Sequence, residues 1–178
     1  MSTTTPTGSA ESIRPGDVLA GKYRVERILG SGGTGVVVAA TELARGQRVA
    51  IKLLLPAAMA DAEVVGRFLR EARASLSLRS EHVARIHEVG TLEGPAGPHY
   101  MVMEQLDGAD LRSVVQRGPL RLDDAVGYVL QACVALDEAH RLGIIHRDLK
   151  PENLFLTRRA DGSPLVKVLD FGISKMPL

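Results

Sequence analysis

The segment Gly30-Ser31-Gly32-Gly33-Thr34-Gly35 runs directly into Val36-Val37-Val38. Glycines admit positive φ and close backbone approach, while consecutive β-branched residues favour an extended chain. Tyr23 to Leu29, on the other side, also reads as a strand. The glycines therefore form a loop between two strands, which excludes two common phosphate-binding designs. A Walker loop needs Lys-Ser/Thr after its last glycine, and a dinucleotide fingerprint must open a helix. What remains is either a glycine-rich hairpin turn or a loop whose N–H groups can face an anion.

The spacing predicts further strands at Val36 to Thr41, Arg48 to Leu54, Val83 to Val89 and Tyr100 to Glu104. Between the second and third of these, Val64, Phe68, Ala72 and Leu76 recur every four residues and predict a helix over Asp61 to Leu78. A short helix is expected near Asp110 to Gln116. The clearest helix runs from Leu122 to Leu142, with Leu122, Val126, Val129, Leu130, Cys133 and Leu136 as its apolar stripe. Asp123 and Asp124 suit its first turn and Gly143 its end. Strands follow at Leu154 to Thr157 and Leu165 to Leu169.

Composition narrows the function classes. The 178 residues carry 22 Lys+Arg against 21 Asp+Glu, a net charge of +1, which argues against a nucleic-acid binder. Aromatics are 3% and Trp is absent, so the core must rest on Leu, Val, Ile and Ala. The single Cys133 cannot form an internal disulfide or a cysteine-based zinc site, and is expected to be a buried small apolar residue. No signal peptide or membrane segment is visible, so a cytoplasmic location is expected. Residues 1 to 17, polar and punctuated by Pro6, Gly8, Pro15 and Gly16, read as a flexible leader.

Three further segments carry chemistry. Val49-Ala50-Ile51-Lys52 ends an apolar strand on a lysine. Alone, such a lysine suits an edge position with its ammonium in water, unless a carboxylate such as Glu71, beside the helical stripe, awaits it. His146-Arg147-Asp148-Leu149-Lys150-Pro151-Glu152-Asn153 concentrates acid, base and amide behind Ile144-Ile145, and Asp170-Phe171-Gly172 follows an apolar strand.

Together, and in this order, these segments resemble the eukaryotic-like (Hanks-type) serine/threonine protein kinases, over about Tyr23 to Gly172. Lys150, two residues after Asp148, is similar to the serine/threonine branch, and the Trp-free, Ala/Arg-rich composition suggests a bacterial source. The resemblance implies an α+β, protein-kinase-like fold over residues 18–178. It comprises a complete β-rich N-terminal lobe with one helix (about 18–104), a hinge (about 104–109) and an incomplete helical C-terminal lobe (110–178).

It also implies ATP and Mg²⁺ as cofactors and a protein with Ser/Thr hydroxyls as substrate. Asp148 would accept the hydroxyl proton and Lys150 would balance charge on the transferring group. Lys52, oriented by Glu71, would hold the α and β phosphates beneath Gly30, Ser31, Gly32, Gly33, Thr34 and Gly35. Leu29, Val37 and Ala50 would line the adenine, with backbone groups of Glu104 and Leu106 on its edge and Met103 as gatekeeper. Asp110 is the candidate for the ribose, and Asn153 with Asp170 for the metal. Arg147 would pair with a phosphorylated activation segment.

Two departures carry expectations. The sequence ends six residues after Gly172, short of an activation segment, an A-P-E motif and a peptide-docking region. A truncated kinase of this kind should leave the apolar face of the long helix uncovered. It would bind nucleotide while transferring poorly to protein by itself, or act only as a nucleotide-binding or interaction fragment. Ser75, where the family often has a larger apolar residue, should weaken a stack toward Phe171.

Overall fold

The structure, a computed structural model, describes residues 13–171 except 93, 95 and 96. Most of the expected leader, and Gly172, lie outside the described residues. The chain divides into two units, one made of residues up to Val65 with Glu88–Gln105, the other of Gly66–His87 with residues from Leu106 onward.

The first unit is built on a sheet of six strands: β1 (Val18–Leu19), β2 (Tyr23–Ser31), β3 (Gly35–Glu42), β4 (Arg48–Leu54), β5 (Ile86–Thr91) and β6 (His99–Glu104). Their spatial order is β1-β2-β3-β4-β6-β5. A short helix α1 (Pro56–Met59) follows β4, with proline in its first turn, where its missing N–H costs nothing. The period-two pattern of the strands builds the core. Val36, Val38 and Ala40 of β3, Val49, Ile51 and Leu53 of β4, and Tyr100 and Val102 of β6 are all buried in one cluster. Each such aliphatic side chain contributes about 1.5–3 kcal/mol. Residues 14–17 are tied to β2, since Gly16 N–H donates to the Val25 carbonyl and Val25 N–H to that of Asp17, both at 2.8 Å.

The register also fixes the other face of the sheet. Val37 stands opposite Lys52 and Lys52 opposite Met101, while Ala39 faces Ala50 and Ala50 faces Met103. Each row lies on one side of the pleat.

A polar pin joins three strands. Glu88 accepts hydrogen bonds from the Tyr100 hydroxyl at 2.6 Å, the Tyr23 hydroxyl at 2.9 Å and Lys22 Nζ at 3.0 Å. Burial pushes the Glu88 carboxyl up, but the donors Tyr100, Lys22 and Tyr23 outweigh it and leave the group below the usual glutamate range. Burial first, then Glu88, pushes the Tyr23 hydroxyl up to about 12, and the same causes raise Tyr100.

The second unit holds most of α2 (Ala62–Ser77), together with α3 (Leu111–Gln116), α4 (Leu122–Arg141), a 3₁₀ turn (Pro151–Asn153) and a sheet of β7 (Ala109–Asp110), β8 (Leu154–Arg158) and β9 (Pro164–Val168). Its core gathers Ala74, Leu78, Val83, Leu111, Ala132, Ala135, Ala139, Leu154, Val166, Val168 and Phe171.

Two sequence expectations are corrected here. On α2 the buried residues are Phe68, Ala72, Ala74 and Ser75, whereas Leu76 is exposed. A strict four-residue spacing drifts about 40° per step around a helix of 3.6 residues per turn, so three steps carry the last member off the face.

On α4 the buried face is Ala132, Ala135 and Ala139, with Tyr128 and Leu136 partly buried. Leu122, Val126, Val129 and Leu130 are 78%, 49%, 57% and 61% exposed, the uncovered apolar face expected of the long helix, whereas Cys133, expected to be buried, is exposed. The small alanines let β9 pack closely. Gln131 completes the contact, its Oε1 accepting from Val166 N–H at 2.8 Å.

Candidate functional site

In the first unit, β2 and β3 are closed by the glycine turn, where Gly32 N–H donates to the Gly35 carbonyl at 2.9 Å. A β-bulge between Ile28 and Gly30 bends β2 just before it. A side chain at Gly35 would force the backbone to shift, since a Cβ there would lie 2.5 Å from the Leu53 carbonyl oxygen. Around Gly30, Gly32 and Gly33 the space is open.

Beneath the turn is a cavity of about 120 Å³ lined by Gly30, Ser31, Gly32, Thr34, Gly35, Val37 and Lys52 among others. Drug-sized ligands occupy roughly 300–1,000 Å³. This space suits a phosphate-sized group under the glycine turn, with a cation in its wall. The structure thus brings the glycine loop, Val37 and Lys52 together. Leu29, Gly33, Ala50 and Glu104 do not line this cavity. Ala50 is buried in the row between Ala39 and Met103. Glu71 lies on α2 and Leu106 follows β6, both among the residues of the second unit.

The second unit positions the polar loop. His146, 2% exposed, anchors it. Its Nδ1 accepts from Asp148 N–H at 3.3 Å, so Nε2 carries the proton and donates to the Leu169 carbonyl at 2.9 Å. The ring lies 5.0 Å from that of Phe171, tilted by 55°. Phe171 is buried without a larger side chain at Ser75, which is itself buried.

Pro151 opens the 3₁₀ turn that delivers Asn153. Asn153 Nδ2 donates to the Asp148 carbonyl at 2.8 Å and to Asp148 Oδ2 at 3.2 Å, and Lys150 Nζ donates to the same Oδ2 at 2.7 Å. Leu169 N–H donates to the Asn153 carbonyl at 2.8 Å, tying the strand before Asp170 to the turn.

Two non-glycine residues here adopt left-handed backbone conformations, Arg147 with φ 61° and Asp170 with φ 48°. Such conformations cost about 1–3 kcal/mol each and persist where surrounding contacts over-determine them. The His146, Asn153 and Leu169 hydrogen bonds supply those contacts.

Electrostatics follow the geometry. The Lys150 hydrogen bond foremost, with the Lys150 charge and Asn153 behind it, holds the Asp148 carboxyl below the usual aspartate range. Asp148 in turn raises Lys150, with Glu152 and Asp170 adding to it. Asp148 is therefore an anion presented on an exposed loop, able to accept a hydrogen bond from an incoming hydroxyl.

With Asn153 Nδ2 committed to Asp148, its amide oxygen is left for a cation. Together with the Asp170 carboxylate this is a hard oxygen set that fits Mg²⁺. Asp110 caps α3, accepting from Ser113 N–H at 2.8 Å and the Ser113 hydroxyl at 2.7 Å, and these bonds lower its carboxyl.

Glu152 and Arg112, to which sequence reasoning assigned no role, form an ion pair between the 3₁₀ turn and α3. A contact spanning 40 positions leaves no periodic signal.

The first unit thus carries a phosphate-sized cradle with a lysine in its wall, and the second an acid-lysine-amide loop. Residues 23–177 match the protein kinase domain family, and the chain belongs to it.

The relatives named below are bacterial. Serine/threonine-protein kinase Pkn1 of Myxococcus xanthus is 43% identical over 159 residues, covering 89% of this chain and 22% of that protein. Serine/threonine-protein kinase PknA of Mycobacterium tuberculosis is 38% identical over 167 residues, covering 92% and 38%. The crystal structure of the Mycobacterium tuberculosis PknI kinase domain is similar with a TM-score of 0.74 at 32% identity, covering 93% of this chain and 65% of that one. The fold is the protein-kinase fold with α+β content. The chain spans less than two-fifths of the length of these two curated relatives and about two-thirds of the solved domain. Among the described residues no helix is long and apolar enough to cross a membrane.

Proposed function

We propose that this chain carries the nucleotide site and catalytic loop of a serine/threonine protein kinase, which transfers the γ-phosphate of ATP to protein hydroxyls. The observation that carries the reading is the convergence of Lys150 and Asn153 on Asp148 Oδ2. Asp148, kept ionised, orients the substrate hydroxyl and takes its proton as the oxygen attacks phosphorus. Lys150 balances charge on the transferring group. Asn153 and Asp170 hold Mg²⁺, which, when bound, neutralises phosphate charge.

Lys52, oriented by Glu71, engages the α and β phosphates under Gly30–Gly35. Leu29, Val37 and Ala50 cover the adenine, Glu104 and Leu106 present backbone groups to its edge, and Asp110 reaches the ribose. A near-neutral chain with one exposed cysteine suits a cytoplasmic enzyme without nucleic-acid partners.

A second reading, a nucleotide-binding fragment that transfers weakly or not at all, is favoured by the exposed apolar face of α4. Thermal unfolding with and without Mg·ATP tests the binding half. Binding to the folded state alone raises the melting temperature, and Lys52→Ala should abolish the rise. An identical rise in Lys52→Ala overturns the assignment of that lysine, and no rise in the unaltered chain overturns nucleotide binding.

A further inference from the structure

Outside its buried alanine face, α4 presents a second apolar row to solvent. At about 100° per residue, Leu122, Val126, Val129, Leu130 and Cys133 fall within roughly 100° of arc. All five are exposed, as is Val134 at the edge of the row. Cys133 lies close to the middle of the helix and near the centre line of the row. Together these side chains expose roughly 500 Å² of apolar surface, in the range of about 300–600 Å² where a monomer's largest patch is often functional.

Two observations select the occupant. The first is area: two copies joined through this row would bury about 1,000 Å², which reaches the lower bound for a specific interface. The second is charge. Asp123 and Asp124 stand in the first turn of α4 and His140 and Arg141 in the last, all of them exposed. Antiparallel pairing of two such helices sets the acidic end of each against the basic end of the other and opposes their macrodipoles. Asp123 and Arg141 are about five turns of 3.6 residues apart and lie along the same edge of the row. A twofold axis brings like edges together, so Asp123 of one copy meets Arg141 of the second copy, and the contact occurs twice. Within one copy Arg141 pairs with Asp137, an exposed pair of little worth that a second carboxylate can share.

We propose that the exposed row of α4 is a self-association surface. A second copy of this chain packs its own α4 antiparallel against Leu122, Val126, Val129 and Leu130, with the two Cys133 side chains near the twofold axis. The pairing is independent of the kinase reading, since no residue of the proposed nucleotide site takes part. An interface of this size gives a reversible pair, with a dissociation constant on the order of 10 µM. In more dilute solution the row returns to water, and unfolding there reports on the single chain.

The test is sedimentation velocity on the 178-residue chain in reducing buffer, over about 1–200 µM so as to bracket that constant. The unaltered chain should pass from monomer to dimer across this range. Leu130→Glu should stay monomeric throughout, with an unchanged circular dichroism spectrum. Asp123→Lys and Arg141→Glu should each weaken association about fivefold by facing like charges, and the two together should restore it. Cys133 is the single cysteine, so any bismaleimide cross-link joins Cys133 of two copies. A short bismaleimide should link the unaltered chain much faster than Leu130→Glu at the same concentration.

A chain that stays monomeric at the highest concentration overturns the proposal, whether Cys133 is open to maleimide or shielded by another segment of the same chain. A dimer that persists in Leu130→Glu places the interface elsewhere and overturns it too. A dimer indifferent to both charge reversals overturns the antiparallel arrangement. Should Leu130→Glu lose its fold, the charge-reversal pair and the cross-link decide the matter.

Discussion

Asn153 Nδ2 donates to both the backbone carbonyl and the Oδ2 of Asp148, at 2.8 and 3.2 Å. A candidate metal ligand and the candidate proton acceptor are therefore one mechanical unit, and what displaces one displaces the other. His146 extends that unit to Leu169 and Phe171, so the loop is held from behind by a buried ring.

His146 should accordingly be a stability determinant of the loop. Replacement by Ala leaves the Leu169 carbonyl without its donor and removes the ring packed near Phe171, at a cost of about 1–3 kcal/mol. Urea unfolding should show the loss, and hydrogen exchange at the Asp148 amide should accelerate. Unchanged exchange would contradict the anchoring role.

The glycines of the turn should separate into two kinds. Gly35→Ala places a Cβ 2.5 Å from the Leu53 carbonyl oxygen, forcing β3 from β4, and should cost about 1–3 kcal/mol by urea denaturation. Gly33→Ala meets nothing within 4 Å and should stay within about 0.5 kcal/mol. Equal effects at the two positions would contradict the register of the turn.

The two faces of α4 should respond differently to substitution. Ala135, fully buried, should not accept Leu, which overfills the contact with β9 and costs about 1–3 kcal/mol. Leu130→Ala, at a position 61% exposed, should cost less than about 0.5 kcal/mol. Denaturation midpoints of the two variants decide the matter.

Stability should fall at both ends of the pH scale through the Glu88 pin. Glu88 titrates below its ordinary 4.5 in the folded chain, so its contribution is present above 4.5 and is lost as pH falls through the depressed folded value. Tyr23 is raised from 10.0 to about 12, so its contribution is full below pH 10 and lost as pH rises toward 12. Urea midpoints across pH should show both limbs, and Glu88→Gln should flatten the acid one.

The sheet of the first unit was legible because strands with one buried face alternate with period two, and β3 and β4 do so cleanly from Val36 to Leu53. The polar loop was legible because acid, base and amide rarely crowd together without a chemical reason. The buried alanine face of α4 was not, because large side chains dominate a hydrophobic stripe while close packing against β9 selects alanines instead. Arg112 and Glu152 were invisible for another reason: their pairing is set by where α3 and the 3₁₀ turn meet, not by any local pattern.

The most direct test of the account is transfer of label from [γ-³²P]ATP to a Ser/Thr peptide mixture, comparing the unaltered chain with Asp148→Asn, with nucleotide binding monitored in both. Phosphoserine or phosphothreonine is expected from the unaltered chain, with a fall of about 10²–10⁴-fold in the variant and nucleotide binding retained in both. Equal label in the variant, or no transfer by a chain that binds Mg·ATP, would contradict it.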